Sequence, residues 1–246
     1  MVRYDGLTGE QLAARLGLPL VVALAETTST LDVAHALGAE GAGPGTLILA
    51  DAQTAGRGRM GRSWTSERGA GIWLTLVERP TDAAAIEVLS LRIGLALAGA
   101  IDAFVERPVS LKWPNDVYVA ERKLAGILVE ARWRESALEW VAIGIGINVR
   151  PPLSEARAAG VNAGASRLSI LDAIIPGVRS AAAERGSLSH RELDAFARRD
   201  LARGRECVQP ARGVVQGIDA RGALLVDLGA ETISVRSGSL VLKEEQ

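Results

Sequence analysis

Cysteine occurs once in this chain, at Cys207, and histidine twice, at His35 and His190. A lone thiol closes no internal disulfide and builds no multi-cysteine metal site. Two imidazoles so far apart in sequence make zinc chemistry and a His-based triad poor expectations. Lysine is nearly as scarce: Lys112, Lys123 and Lys243 stand against 25 arginines. There is almost no net charge. A formal −1 over 246 residues, with pI near 6.2, gives no general affinity for nucleic acid or for a membrane surface. The opening residues MVRYDGLTGE carry no apolar core of a signal peptide. The most apolar helical stretch, 83–104, is interrupted by Glu87, Arg92 and Asp102, which argues against a membrane span. No internal repeat and no low-complexity tract is present. These absences lead us to expect a soluble, reduced, cytoplasmic protein with no DNA or membrane partner.

What is present suffices for one large globular domain and a small one, since 48% of the residues are hydrophobic. Residues 20–26, 45–53 and 71–78 read as apolar strands, and 27–38 as a helix with hydroxyls at its start and Gly38 as its stop. A long helix is expected over 83–105. VSLKW (109–113) alternates, so Val109, Leu111 and Trp113 share one face and Lys112 takes the other. Pro114 and the pair Asn115-Asp116 are turn chemistry. A β-hairpin follows, turning near 120–122, and then a strand over 138–149. After a Pro/Gly/Ala loop come two helices, 166–184 and 190–203, the first bent at Pro176 and Gly177. Short strands with glycine turns fill the remainder as a small barrel-like β unit. The expected division is a short N-terminal segment 1–18, a large domain 19–203 and a β domain 204–246.

Three features point to a site. In strand 138–149, Ile143, Ile145 and Ile147 fall on one face and Gly144, Gly146 and Asn148 on the other; Gly126 repeats the theme nearby. Glycine weakens a strand unless something must approach its backbone, so a flat ligand over these glycines is expected, with a bulge or tight helix packing as the alternative. Lys112 and Lys123 lie eleven residues apart in a chain that otherwise writes arginine, which marks places needing a compact ammonium. The segment DAQTAGRGRMGRSW (51–64) holds three glycines and three arginines. It reads as a nucleic-acid patch, a phosphate cradle or a solvated turn. It is neither a P-loop nor a dinucleotide-binding fingerprint.

The order and spacing of STLD, QTAGRGRMGRSW, KWPND, RKLAGILVE and GIGINV, with GVVQGIDARGALLV and ETISVRSG near the end, closely resemble the biotin protein ligases. The resemblance covers about 20–243. It implies an α+β fold, a mixed central sheet with helices related to class II aminoacyl-tRNA synthetases, followed by an SH3-like β-barrel. It implies two-step chemistry: biotin and Mg-ATP give biotinyl-5′-AMP and pyrophosphate, and biotin then passes to a lysine of a carboxyl-carrier domain of a carboxylase such as acetyl-CoA carboxylase. It leaves a homodimer possible.

By the same resemblance, Arg59, Lys112 and Lys123 are the catalytic cations. An anionic carboxylate must attack an anionic phosphate, and cations must hold the charge that builds up. Biotin is expected at Ser29, Thr30, Gln53, Gly56, Arg57, Gly58, Arg59, Lys112 and Gly126. The adenylate is expected at Arg57, Arg59, Arg62, Trp64, Asn115, Lys123 and Asn148, and Mg²⁺ near Asp116. Leu31 stands where the family writes Asn, which removes a polar side chain from the head-group end. The glycine–arginine loop is expected to close over the ligand and exclude water, because the mixed anhydride hydrolyses readily. The rivals are a lipoate ligase or octanoyltransferase, whose RRxSGGG loop is absent, a biotin-responsive DNA-binding repressor, for which about eighteen leading residues are too few, and a biotin-binding module without chemistry.

Overall fold

The computed structural model describes residues 2–152 and 154–245. Helix α1 (Gly9–Leu16) starts at a capping box in which Thr8 and Gln11 satisfy each other's backbone N–H. Tyr4 and Leu12, both fully buried, join the main core, so the leading residues pack as part of the large unit rather than as a separate segment. Strand β1 (Leu20–Leu24), helix α2 (Thr30–Ala39), strand β2 (Thr46–Ala50) and strand β3 (Gly71–Glu78) follow. The expected long helix is divided. A 3₁₀ segment Ala83–Val88 leads into α3 (Leu89–Ile101), and a 3₁₀ turn Asp102–Phe104 ends it. By length and composition Ala83–Phe104 could cross a membrane, but over half of it is buried inside the fold.

Strands β4 (Ser110–Lys112), β5 (Asp116–Val119), β6 (Arg122–Arg134) and β7 (Ala137–Asn148) complete a seven-stranded sheet of order β1-β2-β3-β7-β6-β5-β4. Only β1 and β2 are parallel. The β5–β6 turn falls at Ala120 and Glu121, both left-handed (φ 48° and 62°), the hand that matches strand twist in a tight hairpin.

The two faces of the sheet have different fates. Ile143, Ile145 and Ile147 enter the main core with Leu97 of α3 and Ile174 of α4 (Arg167–Ala183). The opposite face is only partly covered, where Leu31 and Ala34 of α2 meet Ile48, Val77 and Ala142. The rest of that face is open to the cavity described below. Helix α5 (His190–Arg199) is clamped to α3 by Arg92, 4% exposed, which donates to Glu192 and to the carbonyls of Arg185, Gly186 and Ser187.

Arg199 at the end of α5 holds Asp102 at 2.6 Å, and the Val109 N–H donates to the same carboxylate. Burial works to raise the Asp102 carboxyl, but these hydrogen bonds and the Arg199 charge together hold it below its ordinary value. A depressed folded value contributes stability above the unfolded carboxylate range, about pH 4, and loses it as pH falls through the folded value. Asp102→Asn should therefore lower stability at pH 7 and flatten the acid limb. Urea melts from pH 7 to pH 3 check this; parallel losses for both proteins would contradict it.

The remaining strands, β8 (Glu206–Gln209), β9 (Gly213–Ile218), β10 (Leu224–Asp227), β11 (Thr232–Val235) and β12 (Val241–Leu242), form an antiparallel sheet of order β11-β10-β9-β8-β12. This sheet is fastened to the large one where the Trp113 indole N–H donates to the Gly222 carbonyl at 2.9 Å.

Candidate active site

The register of the large sheet lays out the site. Lys112 of β4 pairs with Asp116 of β5, Asp116 with Gly126 of β6, Gly126 with Gly146 of β7, and Gly146 with Trp73 of β3. Directly paired residues share a face, so one row carries an ammonium, a carboxylate, two glycines and an indole. Lys123 lies three residues from Gly126 and would face the other way in a regular strand. A register shift between Val117 and Tyr118 pairs Lys123 with Tyr118 instead. This bulge turns Lys123 back to the same side, where Nζ lies 2.8 Å from Asp116 Oδ1.

Above the row is a cavity of about 420 Å³, ample for a small organic ligand. The start of α2 lines one end, the turn before β5 the other, and the second sheet closes the side through Ser239, Leu240, Val241 and Glu245.

At the α2 end the polar groups are interlocked. Ser29, 1% exposed, caps the helix with Oγ accepting from Leu31 N–H. Gln53 Oε1 accepts from Thr30 N–H at 2.8 Å and Thr30 Oγ at 3.1 Å, while Gln53 Nε2 donates to Ser66 Oγ. Thr75 donates to Thr30 Oγ. Ser29 thus takes the capping role that a hydroxyl in this position takes on ordinary helix chemistry, and it faces the cavity as well.

The glycine–arginine loop is a small hairpin. Gly58 N–H donates to Arg62 O and Trp64 N–H to Gly56 O, both at 2.8 Å, with Met60 and Gly61 left-handed at the tip. Gly56 is pressed against the Trp64 carbonyl, where a Cβ would lie 2.4 Å away. It supports the hairpin and, like Asn148, does not line the cavity among the described residues. Asn148 is buried, its Nδ2 donating to the Lys123 carbonyl at 3.4 Å. Each was expected to touch ligand; each instead holds a residue that lines the cavity.

The three arginines diverge. Arg57 is drawn to Asp32 (3.1 Å) and Glu130 (3.2 Å). Glu130 also accepts from His35 Nε2, and the Trp140 indole N–H donates to His35 Nδ1. Arg62 donates to Ser239 Oγ at 2.6 Å and so joins the hairpin to the second sheet. All three line the cavity, but Arg59 alone reaches Asn115, its Nη1 3.4 Å from Oδ1, and it makes no ion pair among the described residues. Burial pushes its guanidinium below the ordinary value, partly offset by Asp116 and deepened by Arg62. Asn115 is fixed in turn by donating to Ile127 O at 2.7 Å.

Gly126, Gly144 and Gly146 line the cavity, as a ligand over the sheet glycines requires, but part of that glycine face is already taken. The flat group there is the Trp64 indole: a Cβ on Gly146 would stand 2.5 Å from its Nε1, and one on Gly126 3.1 Å from its edge. An indole seats well on a strand with no side chain in the way. Lys123 Nζ lies over the same ring at 5.1 Å, and Trp73 meets it edge-on. Gly144 is covered by Leu31.

Sequence reasoning missed Tyr118, Arg157, Ser239 and Glu245, all of which line the cavity. Tyr118 shares a face with Asp116 two residues before it, a signal that period-two alternation carries. Burial, then the charges of Asp116 and Glu245, raise the Tyr118 phenol. The other three come from distant segments and carry no local signal. Lys243 pairs with Glu206 at the surface.

Asp116 is the metal candidate, and it is already paired with Lys123. Among the described residues no group of three His, Cys, Asp or Glu side chains could hold a metal. One carboxylate fits an Mg²⁺ that arrives on phosphate oxygens and keeps its waters, not an ion caged by protein.

Comparison with known proteins bears on this arrangement. Residues 23–148 match the model of the biotin/lipoate A/B protein ligase family, and 208–243 match the biotin protein ligase C-terminal domain. The chain is 43% identical over 123 residues to a bifunctional ligase/repressor of Bacillus spizizenii, a match covering 50% of this chain and 38% of that protein's length. It is 34% identical to a biotin–[acetyl-CoA-carboxylase] ligase of Mycobacterium tuberculosis over 96% of this chain and 93% of the relative. A solved biotin protein ligase from Aquifex aeolicus in complex with biotin and ATP superimposes with TM-score 0.72 at 26% identity, covering 91% of this chain and 98% of that one.

Proposed function

Because the chain belongs to the biotin/lipoate A/B protein ligase family, we propose that it activates biotin with Mg-ATP and transfers it to a lysine of a biotin carboxyl-carrier domain. In the first step the biotin carboxylate attacks the α-phosphorus and pyrophosphate leaves. In the second the acceptor amine attacks the acyl carbon and AMP leaves. The observation that carries the proposal is the sheet row. It brings Lys112 and Lys123 to one side of the sheet, where they line the same cavity as Arg59.

The α2 end suits a ureido head, since Gln53, Thr30 and Ser29 offer both donors and acceptors in a slot otherwise lined by Leu31, Leu128 and Gly144. The carboxylate would then lie toward Lys112 and Arg59. Lys123 and Arg59 would carry the charge that grows on the α-phosphate. Mg²⁺ enters with the triphosphate as substrate and neutralises its oxygens; Asp116 is the carboxylate able to meet it. Trp64, with the hairpin latched to Ser239, shields the mixed anhydride from water. The full-length match to the Mycobacterium relative supports a carrier domain of acetyl-CoA carboxylase as acceptor, and the family models support a catalytic unit over 19–203 with a C-terminal unit over 204–246.

Biotin-dependent ATP–pyrophosphate exchange, with lipoate and octanoate as parallel acids, tests the proposal. Exchange with biotin alone is expected. Exchange with lipoate instead would overturn the choice of substrate. Arg59→Gly should release adenylate into solution at least about tenfold faster, by removing the loop guanidinium that reaches Asn115. Quenched-flow recovery of free biotinyl-5′-AMP measures this, and unchanged release would remove Arg59 from the retaining role.

A further inference from the structure

Lys112 is buried, 8% exposed, yet it already holds an anion. Both carboxylate oxygens of Glu245 lie 2.6 Å from its Nζ, the close geometry of a charge-assisted pair. The anion comes from the segment after β12, which folds into the mouth of the cavity as a single 3₁₀ turn over Lys243–Glu245. Glu245 Oε2 also accepts from Leu242 N–H at 2.9 Å, and Arg157 donates to the Glu245 carbonyl at 3.2 Å.

We infer that the Glu245 carboxylate occupies the anion subsite at Lys112, as an intramolecular competitor that substrate must displace before either half-reaction. The inference rests on the proposed function only in taking Lys112 as a residue that meets a substrate anion. Three observations support it. The competitor is an oxyanion, the class to which both the biotin carboxylate and the ATP phosphates belong. It lines the same cavity as Arg59, Lys123 and Asp116. Its remaining anchors are few: the Leu242 N–H, the Arg157 guanidinium, and on the neighbouring residues the pairs Glu244 to Arg205 and Lys243 to Glu206, which lie at or near the surface and are individually weak. A catalytic ammonium capped in this way stays charged and oriented, and the ligand-competent population is lowered. If the cap is on nine times in ten, apparent affinity falls about tenfold.

With only three lysines, ¹⁵N-lysine labelling gives a readout that does not depend on turnover. The Lys112 side-chain signal, assigned by its loss in Lys112→Arg, is titrated with ATP in the wild type and in Glu245→Gln. Glu245→Gln should shift that signal before ligand is added and lower the apparent Kd for ATP by about five- to tenfold. In pyrophosphate exchange its Michaelis constants should fall with kcat within about twofold. A chain stopped after Leu242 is the second variant should the first fold poorly. An unshifted signal with an unchanged Kd would overturn the inference. So would a fall in kcat with unchanged Michaelis constants, which would make Glu245 a positioning residue for Lys112. Absence of exchange with biotin in every variant would instead sink the functional proposal, and the ATP titration would still decide the inference.

Discussion

Lys123→Ala should slow adenylate formation by about two to three orders of magnitude, with the Michaelis constant for biotin changed by less than about threefold. The expected split follows from where the groups lie. The groups proposed to hold the head group, Ser29, Thr30 and Gln53, lie at the start of α2 and three residues after β2, and their hydrogen bonds do not involve Lys123. Lys123 sits at the other end, 2.8 Å from Asp116 and over the Trp64 ring. Its ammonium is a compact charge on a flexible stem, able to leave Asp116 for a phosphate oxygen as charge develops there. Lys123→Arg should rescue poorly, since a rigid planar fork does not follow a single phosphate oxygen as a compact ammonium does. Single-turnover formation of biotinyl-5′-AMP, measured beside biotin saturation curves, reads both quantities. A raised Michaelis constant with an intact rate would assign Lys123 to binding rather than chemistry.

Much of this site can be read in the sequence, and the remainder has identifiable physical causes. Alternation correctly separates Ile143, Ile145 and Ile147 from Gly144 and Gly146, because a strand has one period and one of its faces must be buried. Alternation alone misplaces Lys123, since the bulge opposite Val117 and Tyr118 is set by pairing between strands and leaves no mark in either strand. The glycine face is legible as a place of close approach, but not what approaches. Trp64, far in sequence from Lys123, Gly126 and Gly146, which it touches, settles that through tertiary packing. The long helix 83–105 divides because Asp82 caps a 3₁₀ segment and Asp102 turns away to Arg199. Glu245 lies furthest from inference. Its partner is 133 residues away, and a short acidic stretch looks like solvated surface in any sequence.

Gly146→Val should cost roughly 1–3 kcal/mol of stability by overpacking and reduce adenylation by more than about tenfold. Any Cβ at this position stands 2.5 Å from Trp64 Nε1 and 2.6 Å from Cε2, against the body of an indole and not the end of a flexible chain. The ring cannot yield freely. Its backbone N–H is committed to Gly56 O at the base of the hairpin, and Trp73 packs against its edge. Moving it takes away the surface on which Lys123 rests and unseats the hairpin that carries Arg59. The loss therefore reaches the chemistry through two cations that the substitution never touches. Gly99→Ala provides the contrast. It lies in the exposed part of α3 with nothing within 4 Å of its Cβ, and should be neutral or stabilising by about 0.5–1 kcal/mol through helix propensity. Urea melts and tryptophan emission report the displaced indole, and pyrophosphate exchange reports its consequence. A Gly146→Val protein with wild-type emission and turnover would show that the indole seat is dispensable, and that the cations are held by Asp116 and Asn115 alone.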